Sequence, residues 1–531
     1  MNRNIYKMVP MPGQKITYKK GANGTVYVYL TTRAYRNDKG KPTSDEVAIG
    51  KKDLTTGMLI PNTNYFEYYT DAINEDTPRQ IKNYGNTYAL RALADETGLQ
   101  GVLQECFAGR WEDILSCAFY MVCKGNVMMY IEDWCDITHT ELPDGFTSRR
   151  CSELFAAITY EERMRFFESW ISVRREKEYI AYDVTSISTY AKSIDSAEWG
   201  YNRDGDSLPQ INLGMYFGES SHLPVFYNIY SGSISDKSHL VFMMQNTEAL
   251  GIGKVKFVFD RGFLTEDNLR HMHDNDLPFT VPFPMSRVES AGLIGRESPG
   301  IRSAANWIRE FELYGRCIDY ELYGIKMKAH LFFNPDKCAD EEKNLYASID
   351  RLEAELEKMN KSKRVAKRYT DYFVVGKEKN EKLSYERDYI KIDERLRRAG
   401  YIVLLTTDLS CSPEELISIY RGRDEIEKSF DSLKNDLDFR RMRTHVNETT
   451  DGKVFVAFLA LALRSYMSGK IRENAATRKL TTEKVLLELA KIKLVTLSNG
   501  KKVLMPLTKM QKQILLALGL QPESVMKSVT S

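Results

Sequence analysis

The chain has 531 residues, enough for about two to four domains whose cores need neither disulfide nor metal staples. Its 43% hydrophobic and 28% charged residues exclude a disordered, collagen-like or membrane-embedded chain. With 75 Lys and Arg against 73 Asp and Glu the net charge is +2, which excludes a globally basic nucleic-acid binder and makes any polyanion site a local matter. The 8 cysteines include no C-x-x-C pair, so free thiols are expected rather than a zinc site or a disulfide framework. The start, MNRNIYKMVPMPGQK, carries no signal-peptide apolar stretch, and the apolar run Val454 to Leu463 is about half of what a bilayer requires. A cytoplasmic protein without membrane contact is expected.

In chain order, residues 1–85 read as a small β-rich subdomain, with Val26, Val28 and Leu30 alternating with Tyr27 and Tyr29. Residues 86–176 change to helical periods interrupted or ended by Gly98, Gly101 and Gly109, a helical subdomain that is a candidate for DNA-end binding or simply a packing domain. From 177 to 285 come three strand runs, EYIAYDVTSIS, INLGMYFG and LPVFYNIYSG. A helical segment around DKSHLVFMMQNTEALG, strand KVKFVFD, helix TEDNLRHMHDND and strand PFTVPFP come next. Three strands and then strand–helix alternation imply an α/β core with a mixed sheet flanked by helices.

Residues 286–400 read as an insertion, with a strand pair around 319–334 and a charged helix whose Leu345, Ile349, Leu352, Leu356 and Met359 form an amphipathic stripe suited to a helical hairpin or short coil. The basic cluster KSKRVAKR at 361–368 suits a solvated helix end or a phosphate contact. Residues 401–480 complete the core with strand YIVLLTT and a long helix that has Ser412 at its N-cap and Pro413 at its first position. Residues 481–531 form a mixed tail, a candidate for multimerisation.

On the long helix Tyr420, Arg423, Glu427 and Lys434 project from one arc roughly 60° wide at about 100° per residue. That arc lies beside an apolar stripe of Ile419, Ile426, Phe430, Leu433 and Leu437. Taken alone, the arc reads as a surface strip with an Arg423–Glu427 pair. Two aspartates on strands raise its significance. Asp183 lies inside the apolar run IAYDVTS with Tyr182 and Val184 on the opposite face, and Asp260 ends VKFVFD before Gly262, which permits a sharp exit. A carboxylate is costly to bury in a sheet unless it is paired or metal-bound, and an oxygen-only donor set favours hard cations such as Mg²⁺.

The string Y-x2-R-x3-E-x6-K formed by Tyr420, Arg423, Glu427 and Lys434 resembles the signature of bacterial insertion-sequence transposases of the DDE type, the insertion-sequence-four family. Asp183 in its Y-D-x-T-S context and Asp260 in its D-R-G-F context extend the resemblance over roughly residues 178 to 480. The resemblance implies an RNase H-like catalytic domain interrupted by an insertion. It also implies that Asp183, Asp260 and Glu427 hold two Mg²⁺ ions, with Mn²⁺ able to substitute, for in-line displacement at phosphorus. DNA would be the partner, both as terminal inverted repeats and as target, held by a homodimer in a synaptic complex. Tyr420, Arg423 and Lys434 would contact phosphates, with Arg440, Arg441 and Arg443 extending the positive track. Weaker features carry bland readings: Trp307 as core packing rather than base stacking, Arg261 as a partner of Asp260 or of DNA, and Gly251–Gly253 as a loop. An RNase H-like nuclease without strand transfer and an inert transposase-derived DNA-binding protein are the alternative functions.

Overall fold

The computed structural model describes residues 8–13, 15–36, 40–69, 78–174, 179–202, 204–218, 221–235, 238–240, 242–243, 256–359, 366–377 and 383–527. Two compact units divide the chain. One comprises Met1–Trp170, Ala191–Ile194 and Asp431–Ser531, and the other Ile171–Tyr190 and Asp195–Phe430. The division falls within the long helix at 430/431, so the part of 401–480 expected to complete the core contributes to it only as far as Phe430.

The first unit opens with a four-stranded antiparallel sheet, Ile16–Lys20, Val26–Arg36, Pro42–Lys52 and Leu59–Pro61. Its alternating strands bury Val28, Leu30, Ile49 and Leu59 against Tyr65. The next strand, Pro78–Asn83, leaves that sheet and pairs antiparallel with Lys493–Leu497, to which Lys502–Leu504 adds a third strand. The helices of this unit surround Asn447–Glu473, in which every residue from Val454 to Leu463 is buried. By length and composition that helix could cross a bilayer, yet it is the packed core of the unit, ringed by Phe107, Phe166 and Phe167. Gly452 is required there: a Cβ would stand 2.0 Å from the Phe155 carbonyl oxygen. Gly101, expected to break a helix, lies within Leu99–Cys106. All eight cysteines are free thiols.

The second unit is built on a mixed sheet. Its strands are β1 (Tyr179–Thr189), β2 (Gln210–Gly218), β3 (Pro224–Ser231), β4 (Lys256–Val258), β5 (Phe279–Pro282), β6 (Trp307–Ile308), β7 (Leu313–Leu322), β8 (Ile325–Phe333) and β9 (Tyr401–Thr406). They lie in the order β6-β7-β8-β9-β5-β4-β1-β2-β3. The pairs β1–β4 and β4–β5 are parallel, and the other pairings are antiparallel. Helices α1 (Glu266–Asp274), α2 (Val288–Glu297), α3 (Pro335–Glu357), α4 (Tyr389–Leu396) and α5 (Pro413–Asp431) complete it. The segment around DKSHLVFMMQNTEALG and the Gly251–Gly253 loop fall largely outside the described residues.

Residues 286–400, expected as one insertion, divide into two parts. The strands β6 to β8 extend the central sheet, because β8 is buried along most of its length and pairs with β9. Only the stretch from α3 to α4 builds a separate small core. There Ile349, Leu352 and Leu356 of α3 pack with Tyr369, Phe373 and Ile392. The apolar stripe therefore meets a β-hairpin (Phe373–Lys377, Leu383–Arg387) and α4 rather than a second long helix. The alternation of Phe373 and Val375 supplies the flat apolar face that the stripe covers.

Candidate functional site

Asp183 occupies the middle of β1, half-buried, while Tyr182 and Val184 point the other way into the core. Its Oδ1 accepts the Val184 N–H at 2.8 Å. The chain leaves β4 after Val258, and Phe259 still donates to the Thr280 carbonyl at 3.0 Å, which keeps the next residue aligned with the sheet. Asp260 then caps the short turn Arg261–Phe263, with Oδ1 accepting the Arg261 N–H at 2.7 Å. Gly262 does not need a positive φ there, so the exit is made by the aspartate cap and not by glycine freedom.

The register brings the two carboxylates together. Ala181 stands opposite Val258 in the parallel β1–β4 ladder, and two residues further on the same face come Asp183 and Asp260. Neighbouring strands are only about 4.8 Å apart, so side chains at matched positions share one space.

Helix α5 brings a cation to that space. Ser412 and Glu415 cap it reciprocally, Ser412 Oγ accepting the Glu415 N–H at 3.2 Å and Glu415 Oε2 the Ser412 N–H at 2.9 Å. The helix buries Leu416, Ile417, Ile419, Ile426 and Phe430, and the Phe430 ring meets Phe217 of β2 edge-on at 5.5 Å. Arg423 follows the apolar stripe into the fold, where its side chain is only 6% exposed. Its Nη1 stands 3.4 Å from Asp260 Oδ1 and 3.5 Å from the Phe259 carbonyl, and Nη2 stands 4.0 Å from Asp183 Oδ2. Its Nε has no hydrogen-bond partner among the described residues.

The remaining expected site residues are placed differently. Glu427, one turn beyond Arg423, is exposed, and among the described residues no three His, Cys, Asp or Glu side chains are gathered as a metal site. Tyr420 is half-buried. Lys434 falls in a π-helical turn, Ser432–Asp436, so its position on a wheel of about 100° per residue no longer follows from its spacing. Past that turn Arg440 donates to Asn435 Oδ1 at 2.8 Å, Arg441 to the Arg440 carbonyl at 3.2 Å, and Arg443 to Asp438 Oδ2 at 2.6 Å. The basic track thus has its own local partners. Arg261 is exposed.

Trp307 does not pack in the core: it is 41% exposed on the two-residue strand β6 at the sheet's end, edge-on to Tyr314 at 4.9 Å, with only its neighbour Ile308 turned inward. In KSKRVAKR, residues 361–365 lie outside the described residues, and Arg368 pairs with Glu355 at 2.9 Å. The burial of Arg423 between carboxylates was not foreseen. Its signal was the border it shares on the helical wheel with Ile419, Ile426 and Phe430.

The transposase DDE domain family matches residues 174–463, more than half of the chain. The chain belongs to the DDE transposase family. No curated protein matches it. Likeness to solved structures is remote. The piggyBac transposase synaptic complex with hairpin DNA gives a TM-score of 0.31 at 9% identity, over 76% of this chain and 70% of that one. The Drosophila P element transposase strand transfer complex gives 0.14 at 12% identity, over 62% of this chain and 66% of that one.

DDE transposase domains generally depend on divalent metals. Asp183 and Asp260 fit such an ion, since two carboxylates from matched positions already face one cation, the Arg423 guanidinium, and offer only hard oxygen donors. They are the residues that would hold it.

Proposed function

We propose that this chain is a transposase of the insertion-sequence-four type, with an RNase H-like core, that excises its own element and joins it to target DNA. The observation that carries this reading is the in-register convergence of Asp183 and Asp260 on one cation. A carboxylate pair on adjacent strands beside a helix bearing a third, Glu427, is the set of groups that metal-assisted phosphoryl transfer requires. When bound, divalent ions there would activate the attacking water or 3′-hydroxyl and stabilise the leaving oxygen. Tyr420, Arg423 and Lys434 would position the DNA backbone, with Arg440, Arg441 and Arg443 as an outer basic track. A homodimer would hold two element ends, and the protein would act in the cytoplasm.

The test is incubation with Mg²⁺, linear DNA bearing the inverted repeats that flank the gene, and a supercoiled target. Cleaved ends together with joined target product are expected. Cleavage that never yields a joined product would leave a nuclease in place of a transposase.

A further inference from the structure

The charge arrangement around Arg423 bears on how a metal site of this kind is filled. The guanidinium lies in the space that Asp183 and Asp260 share. A divalent ion bound by both carboxylates sits about 2.0 to 2.6 Å from each oxygen, depending on the ion. It would enter the same space, a few ångströms from a like charge that the buried Arg423 side chain, 6% exposed, carries. The two cations therefore compete for one pair of anions.

The arginine is also poorly held for a buried charge. Its contacts to the carboxylates are long, at 3.4 and 4.0 Å, against about 2.7 to 2.9 Å for a good charge-assisted hydrogen bond. Its Nε is unpartnered among the described residues, and its third contact is a carbonyl at 3.5 Å. A guanidinium cannot lose its proton, so it keeps its charge wherever it moves and pairs readily with another anion. A phosphodiester offers two oxygens in the bidentate geometry that the planar fork prefers.

We propose that Arg423 is an internal counter-cation that keeps divalent metal out of the Asp183–Asp260 pair until a DNA phosphate draws the guanidinium away. The phosphate part rests on the transposase reading above; the competition with metal does not. The consequence is reciprocal coupling: DNA raises metal affinity and metal raises DNA affinity by the same factor, both through one side chain.

The experiment is Mn²⁺ binding to the full chain, followed by calorimetry and by the electron paramagnetic resonance of free Mn²⁺, without and with a duplex bearing the element's end. Without DNA, Arg423→Gln should bind Mn²⁺ more tightly than the wild type by about 5- to 150-fold, the usual span of a coupling interaction. Arg423→Lys, which keeps a cation, should fall between, and it preserves the test if the glutamine variant fails a thermal-melt check of folding. Asp183→Asn should remove the tight Mn²⁺ signal, which ties the signal to this pair. The duplex should raise wild-type affinity towards that of Arg423→Gln and leave the variant unchanged. Equal or weaker Mn²⁺ binding by both arginine variants overturns the competition. A wild-type affinity indifferent to duplex overturns release by phosphate. Neither result depends on strand transfer, so failure of this inference and failure of the transposase reading are told apart.

Discussion

Each unit of the molecule buries an arginine, and the two are held in opposite ways. Arg464, on the core helix Asn447–Glu473, is 4% exposed. Its Nε donates to Ser432 Oγ at 2.8 Å, its Nη2 stands 2.7 Å from Asp436 Oδ2, and Glu483 closes the set. Arg423 is as deeply buried, but its carboxylates stand back and one of its nitrogens has no partner among the described residues. A buried charge with a complete set of short contacts fixes a fold, because removing any member strands the others. One with incomplete contacts adds little to the fold and is free to exchange partners, which is what a site requires.

The sharpest way to break this contrast is through the carboxylates themselves. Asp183→Asn, Asp260→Asn and Glu427→Gln should each abolish strand cleavage, by at least about 10³-fold, since each is proposed to hold the divalent ions that stabilise the transferring phosphoryl group. Binding of element ends, measured by gel shift, should survive, and the melting temperature should change little because the two aspartates make only long contacts to Arg423 and Glu427 is exposed. Full cleavage by any of the three would remove that residue from the proposed set, and a collapse of the melting temperature would make the Arg423 network structural like that of Arg464.

Arg464→Ala probes the other side. It strands Asp436 and Glu483, but both are partly exposed and can hydrate, at 32% and 53% side-chain exposure. The expected loss is therefore about 2 to 4 kcal/mol, near or below the usual cost of breaking a fully buried pair. Urea unfolding would measure it, and a loss under about 1 kcal/mol would place the pair with ordinary surface ion pairs.

The same contrast shows where the sequence was readable. The strands β1, β2 and β9 and the capped start of α5 were visible because local alternation, Ser412 and Pro413 act within a few residues. Asp183 and Asp260 stood out because carboxylates are expensive in apolar strands. The depth of Arg423 was not visible, since a helical wheel gives an angle but not how far the neighbouring sheet extends over it. Lys434 lost its expected phase to a π turn that no spacing announces. The pairing of Pro78–Asn83 with Lys493–Leu497 joins segments some 400 residues apart, which periodicity within either segment cannot reveal.

A third buried cation tests the contrast most finely. Lys453, on the same helix as Arg464, is 2% exposed, and among the described residues its Nζ meets Asn126 Oδ1, at 3.4 Å, and the Phe439 ring, at 5.9 Å. Among the described residues no carboxylate lies within ion-pair distance. Burial, aided by nearby Arg443 and opposed by Cys151 and Asp438, pulls its pKa down to about 7. Between that value and the 10.5 of an ordinary lysine the unfolded chain holds a proton that the folded chain has released, so stability rises with pH across this window. Below about 7 both states are protonated and the penalty is constant. Wild type measured against Lys453→Met should therefore gain roughly 1.4 kcal/mol of stability per pH unit over most of the window, or about 2 kcal/mol from pH 7 to pH 9. The methionine keeps the length and apolar stem but has no proton to release. Urea midpoints of the two proteins at three pH values would show the slope. A pH-independent difference would mean that the ammonium reaches water or a carboxylate, and that this unit completes the contacts of its lysine as it does those of Arg464.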